Sequence, residues 1–187
     1  QEALTDIRNN VFFNWGDNSG YGAEGTRFNL VNNYYKPGPA SEDIRFFELW
    51  TKPELPPTRA FINGNVMAGY ATISQHNEQG IALKNQKKLN RSDVTAFFKA
   101  TLADNPFAIE PSHTLTAEAA YQQLIIDGDV GANINAAGHF SDSVDTRLLS
   151  EIRTGNPTFG TGLIDTELTV LAPGGWAVYQ AEFTVKN

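Results

Sequence analysis

The sequence predicts an all-β chain, a parallel β-helix with irregular loops and two short C-terminal covering helices. Three observations predict it. Ile7-Arg8-Asn9-Asn10-Val11-Phe12-Phe13 returns as Leu30-Val31-Asn32-Asn33-Tyr34-Tyr35, with the second Asn pair in the place of the first. A weaker third copy is Phe61-Ile62-Asn63-Gly64-Asn65-Val66-Met67. Asn is abundant and clustered: nine of 17 lie between Asn9 and Asn65. The residues flanking each Asn are β-branched or aromatic, which favours strand and turn over helix. A period in the twenties with short strands is a solenoid signature.

The physics of stacked bends accounts for the Asn. One residue at each bend takes a left-handed conformation, which Asn tolerates better than other side chains. Stacked bends also place one amide above the next, so each can donate to and accept from its neighbours while buried.

The rest of the chain follows in order. Asn14 to Gly25 is rich in Gly and Asn and reads as a loop. Lys36 to Thr58 holds Pro37, Pro39, Pro53, Pro56 and Pro57, which exclude a continuous helix. Within it, Phe46, Phe47, Leu49 and Trp50 pack down as a strand or flap. Ala71 to Ser112 reads as irregular, and its basic stretch Lys84, Lys87, Lys88 and Arg91 as a solvated face. Thr116 is an N-cap for a helix through Ile126, with Ala117, Tyr121, Leu124 and Ile125 on its apolar side. Ser141 to Gly155 is a second helix, acidic at its start, ending in Arg153 and Gly155. These helices suit the covering of a solenoid. The division is residues 1–112 for the repeats and 113–187 for the cover and tail.

Composition removes several functions. Lys and Arg number 14 against 21 Asp and Glu, a net charge of -7, so a nucleic-acid interface lacks its basic face. No cysteine is present, which excludes disulfides and thiolate-held zinc. No apolar run reaches the roughly 18 residues of a membrane span. The chain opens at Gln1 with no apolar leader, as expected of a processed or partial chain. Gly-x-Ser-x-Gly, His-Glu-x-x-His and phosphate-loop motifs are absent from the sequence.

Residues 6–41, from Asp-Ile-Arg-Asn-Asn-Val-Phe-Phe-Asn-Trp-Gly to Asn-Leu-Val-Asn-Asn-Tyr-Tyr-Lys-Pro-Gly-Pro-Ala-Ser, resemble bacterial pectate lyases of polysaccharide lyase family 1, in its Bacteroidetes-type branch. Asp142-Ser-Val-Asp-Thr-Arg-Leu-Leu-Ser-Glu-Ile-Arg-Thr-Gly155 resembles the C-terminal helix of that branch, and Gly162-Leu-Ile-Asp165 and Gly174-Gly-Trp176 the segments after it. The resemblance implies a right-handed β-helix and calcium-dependent β-elimination of polygalacturonate by a secreted or periplasmic enzyme. It covers only that enzyme's C-terminal half. The family's paired histidines, calcium carboxylates and Arg-Asn-Pro motif have no counterpart here: Asn105-Pro106 and Asn156-Pro157 follow Asp104 and Gly155, and His76, His113 and His139 are isolated. The expectation is therefore a non-catalytic half that acts with an N-terminal half, with calcium ligands outside this chain. The alternative is a non-catalytic module that binds acidic polysaccharide.

No residue is assigned a catalytic or metal role. For substrate, the resemblance puts Trp15, Tyr21 and Glu24 on a groove-side loop, where aromatic faces and a carboxylate suit sugars. The competing reading has Trp15 covering the wall and Glu24 paired with Arg27. Arg27 and Lys36 are the candidates for uronate carboxylates, Arg by its bidentate fork and Lys by its point charge. Each competes with a plain surface cation. Asp127, Asp129, Asp142 and Asp145 do not have an EF-hand spacing, and helix ends account for them.

Overall fold

The computed structural model describes residues 3–84, 90–109, 113–130, 134–135, 138–139 and 142–164. Nine short strands come first: β1 (Leu4–Arg8), β2 (Val11–Phe13), β3 (Tyr21–Gly22), β4 (Arg27–Val31), β5 (Tyr34–Lys36), β6 (Phe47–Leu49), β7 (Arg59–Asn63), β8 (Val66–Met67) and β9 (Ile81–Leu83). They form three parallel three-stranded sheets, ordered β1-β4-β7, β2-β5-β8 and β3-β6-β9. The chain thus passes through the sheets in the same order three times. A small antiparallel pair, β10 (Ile134–Asn135) and β11 (Gly138–His139), stands apart from them.

Among the described residues, four α-helices accompany the sheets: α1 (Ala71–Gln75), α2 (Arg91–Thr101), α3 (Ala117–Tyr121) and α4 (Ser143–Thr154). This corrects the all-β, right-handed parallel β-helix expected from the sequence. Three short parallel sheets with four helices make a mixed α/β fold. The correction falls mainly on residues 71–112, which read as irregular. Asn90 caps α2 by accepting from Asp93 N, and Val94, Phe97, Phe98 and Thr101 follow at helical spacing. Asn14 to Gly25 is likewise not all loop, because it contains β3. Lys87, Lys88, Asp165 and Gly174-Gly175-Trp176 lie outside the described residues.

The Asn repeat sets the register. Leu4 pairs with Arg27 and Arg8 with Val31, the same step that leads from Asn9-Asn10 to Asn32-Asn33. The third copy also falls in register, Val31 opposite Asn63 and Tyr34 opposite Val66. At the bend between first and second sheets, Asn9 (φ 54°) and Asn32 (φ 53°) are left-handed, and Gly64 (φ 70°) takes that place in the third pass. The following residues form a ladder of amides. Asn10 donates from its backbone N and its Nδ2 to Asn33 Oδ1, both at 3.0 Å. Asn33 does the same to Asn65 Oδ1 at 3.0 and 2.9 Å, and Asn65 to Asn77 Oδ1 at 2.7 and 3.0 Å. Asn33 and Asn65 are fully buried, and the ladder keeps their polar groups paired.

Alternation then builds the core. Phe28 and Leu30 of β4, Tyr35 of β5, Leu49 of β6 and Met67 of β8 point inward and are almost wholly buried. Tyr35 stacks on Phe12 at 4.5 Å and meets Phe46 at 4.8 Å. Burial pushes its hydroxyl pKa up. Its neighbour Tyr34 faces outward and stacks on Tyr121 of α3 at 4.3 Å. So of the two tyrosines one is core and the other seats the first covering helix.

Both expected C-terminal helices are present. Thr116 caps α3 by accepting from Ala119 N, and the chain continues as a π-helical turn over Gln122–Ile126. Asp142 caps α4 through Asp145 N, and Gly155, left-handed at φ 75°, ends it. Residues 103–109 and 113–116 lie against the outer face of the first sheet. Asn29 clamps it by exchanging two hydrogen bonds with the Phe107 backbone, at 3.0 and 2.9 Å, and Asn9 does so with Leu115, both at 2.9 Å.

Two carboxylates are held below their ordinary pKa. For Asp6 the hydrogen-bonded Arg8 guanidinium is the main cause, opposed by burial and helped by Asn29. For Glu151 burial pushes the pKa up, but donation from Arg147 and from Thr158 N outweighs it. Each folded-state pKa lies below the unfolded one, so each contribution is complete above about pH 4, the ordinary carboxylate value, and is lost as pH falls through the lowered pKa. The thermal midpoint should therefore be flat in this respect between neutrality and about pH 5, then fall below about pH 4. Circular dichroism melts across that range check it. Glu151→Gln should shrink the acid-side fall, and an unchanged profile would remove Glu151 from it.

Candidate functional site

The outer face of the third sheet gathers an aromatic and charged cluster. In β6, Phe47 and Leu49 turn inward, so Glu48 and the next residue, Trp50, turn outward. Tyr21 of β3 is the register partner of Glu48 and is 60% exposed. Lys84 follows β9 on the same side. The pairing runs on past the strand ends: Trp50 N donates to Gly22 O and Lys84 N to Leu49 O, both at 2.9 Å. Sheet hydrogen bonds therefore hold the backbones of both residues.

The side chains interlock. The Tyr21 and Trp50 rings lie 4.9 Å apart, tilted by 30°. The Lys84 ammonium sits 3.2 Å from the centre of the Trp50 ring, a cation–π contact. Trp50 Nε1 donates to Glu48 Oε1 at 2.8 Å, which fixes the indole. Arg45 approaches the other Glu48 oxygen at 3.2 Å, bonds Asn18 Oδ1 at 2.9 Å and pairs with Asp43. The result is an exposed tyrosine ring beside a half-buried indole, an ammonium over that indole and a braced carboxylate on one sheet surface. Such a surface can stack on the C–H face of a sugar and meet an anionic substituent.

The sequence-derived candidates fall in different places. Tyr21 is in the cluster. Glu24 stands at the corner after β3, 3.9 Å from Lys52. Trp15 is a core residue, 9% exposed, edge-on to Tyr35 at 6.1 Å and donating to Asp43 O at 2.9 Å. Arg27 opens β4 on the first sheet, 5.8 Å from the centre of the Phe107 ring. Lys36 lies under α4 and donates to Ile152 O at 2.6 Å and Arg153 O at 2.9 Å, where a cation suits a helix C-terminus. The structure thus keeps Tyr21, and near it Glu24, on the third-sheet side, and separates Trp15, Arg27 and Lys36 from them.

Glu48, Trp50 and Lys84 were missed. Strict alternation through Phe47-Glu48-Leu49-Trp50 carried the signal for the first two, since it turns Trp50 out rather than down. Nothing in the sequence joined Lys84 to Trp50, because that contact depends on the pairing of β6 with β9.

The acidic residues near the helix ends have local partners. Asp127 accepts from Gln122, Asp129 from Gln123, and Asp142 caps α4. Among the described residues no group of three or more His, Asp or Glu is placed to hold a metal ion. A separate concavity of about 230 Å³ lies between the proline-rich loop and α2, with Leu55, Pro56, Pro57 and Phe97 among its apolar walls. No family model and no curated protein sequence matches the chain.

Proposed function

We propose that this chain is the non-catalytic C-terminal half of a pectate lyase-like protein and holds acidic polysaccharide on its third-sheet face. The observation that carries the binding role is the Tyr21–Trp50 ring pair, Tyr21 exposed and Trp50 half-buried, with Lys84 over the indole. Aromatic rings take the apolar face of a pyranose, and the ammonium offers donors to a uronate carboxylate. The resemblance in residues 6–41 and 142–155 supports the polymer class. No step of β-elimination is assigned to these residues, and calcium is not assigned to them.

The test is titration calorimetry of the purified chain with oligogalacturonate, and with neutral galactan as the comparison. Trp50→Ala should weaken oligogalacturonate binding at least tenfold, about 1.4 kcal/mol, and Lys84→Ala should weaken it less. Lys36→Ala should leave affinity intact while lowering the thermal midpoint, because Lys36 braces α4. Equal binding by the Trp50→Ala variant would overturn the assignment of the face. Preference for neutral galactan would overturn the acidic class. Release of unsaturated uronides by the chain alone would overturn the non-catalytic reading.

A further inference from the structure

We propose that the cavity between the proline-rich loop and α2 binds a small aromatic carboxylate of a single ring. This inference does not depend on the saccharide reading.

The walls of the cavity are apolar and fixed. Phe97, Ala100 and Thr101 follow at the i, i+3, i+4 spacing that places them on one side of α2. Facing them, Pro53, Pro56 and Pro57 hold the backbone at a set φ and bring no N–H donor to the lining. Leu55 N donates to Lys52 O at 3.1 Å, which closes the turn between these prolines. Gly25 lets the loop sit close, since a Cβ there would lie 3.0 Å from Leu55 Cβ. The space of about 230 Å³ falls below the roughly 300–1,000 Å³ of sites for drug-sized ligands, so the occupant is small.

The polar groups give the occupant its class. Thr58 and Thr101 both line the cavity, and each is 3% exposed. Thr58 is used by the fold: its hydroxyl donates to Ala23 O at 2.7 Å and accepts from Gly25 N at 3.2 Å. The Thr101 hydroxyl has no hydrogen-bond partner among the described residues. A buried hydroxyl left unpaired is costly, and the cavity is where a partner can enter. Lys52 is the one charged residue among the described lining. It is exposed, and its pairing with Glu24 is loose, at 3.9 Å. Its ammonium is available to a carboxylate.

The occupant these groups describe has a ring for Phe97 and the prolines, a carboxylate for Lys52 and a hydroxyl for Thr101. Water pairs Thr101 equally well, but it gains nothing from walls of Leu, Pro and Phe, whereas a ring does.

The test is a protein-observed NMR titration of the full chain with 4-hydroxybenzoate, benzoate and the uncharged 4-hydroxybenzyl alcohol. 4-Hydroxybenzoate should bind most tightly, with saturable shifts at the Phe97, Ala100 and Thr101 amides. Thr101→Val keeps the shape and removes the hydroxyl. It should weaken 4-hydroxybenzoate about fivefold, the worth of one hydrogen bond, and leave benzoate unchanged. Lys52→Met should weaken both acids by a similar factor and spare the alcohol. Ala100→Leu, at an exposed helix position, should fill the space and abolish binding of each compound. Thermal melts check that each variant is folded, and Lys52→Met with Ala100→Leu carries the test if Thr101→Val unfolds. The proposal is overturned if no shift saturates in the millimolar range, or if the saturating shifts fall on Tyr21 and Trp50 rather than α2. Unchanged binding by Ala100→Leu also overturns it. Equal affinity for the alcohol overturns the anionic class, and an unaffected Thr101→Val variant overturns the hydroxyl contact.

Discussion

Asn33→Ala should lower the unfolding free energy by about 3–5 kcal/mol, measured by urea denaturation. Asn33 is wholly buried, and its amide serves both neighbours. Its Oδ1 takes two donors from Asn10, and its Nδ2 reaches Asn65 Oδ1 at 2.9 Å and Ile7 O at 2.9 Å. Truncation to methyl takes one donor from the Ile7 carbonyl and one from the buried Asn65 Oδ1. Each buried group left unpaired costs about 1–3 kcal/mol, and the vacated volume adds to that. Asn10→Ala should cost far less, about 1 kcal/mol or below, because Asn10 is exposed and water replaces its partner. If the two substitutions cost the same, the ladder is not what stabilises the bend.

Gly64→Ala should cost well over about 2 kcal/mol, and Gly69→Ala about 1 kcal/mol. Both glycines are left-handed, at φ 70° and 84°, so both lose the same backbone freedom. They differ in surroundings. A Cβ on Gly64 would fall on the Asn32 side-chain oxygen, whereas one on Gly69 would meet nothing within 4 Å. The neighbour that must move, Asn32, is bonded to Leu115 O at 2.7 Å and helps hold the segment that covers the first sheet. The difference between the two variants isolates the steric part from the conformational part. Equal losses would assign the whole effect to φ.

The Asn pattern was readable because it records a local need. Each bend requires a left-handed residue and a self-complementary amide, and both needs name Asn. That gave the strand positions and the register, while capping residues and apolar stripes gave both C-terminal helices. The class was misjudged because α1 and α2 carry no repeat. Asn90 with Asp93, and Val94 with Phe97 and Phe98, is a local helix signal inside a segment that looked polar and irregular. The candidate residues for the proposed saccharide face were less legible for a different reason. Trp15 and Trp50 are equally plausible sugar contacts by type. Alternation along β6 turns Trp50 out, while Trp15 sits beside Tyr35 where a core ring is needed. Lys36 looked free because its partners, the Ile152 and Arg153 carbonyls at the end of α4, lie far along the chain.

The amide ladder fixes one bend in each pass and leaves the rest of the pass unregulated. In the first sheet Leu4 pairs with Arg27, whereas Arg27 pairs with Arg59, a longer step along the chain with the side chains still stacked. Spatial alignment is thereby separated from chain length. Extra residues at 51–57 are looped out without disturbing the pairing on either side. The architecture should accept inserted epitopes or purification tags at the proline-rich loop, and variation in related sequences should concentrate there in length before it appears in the Asn positions themselves.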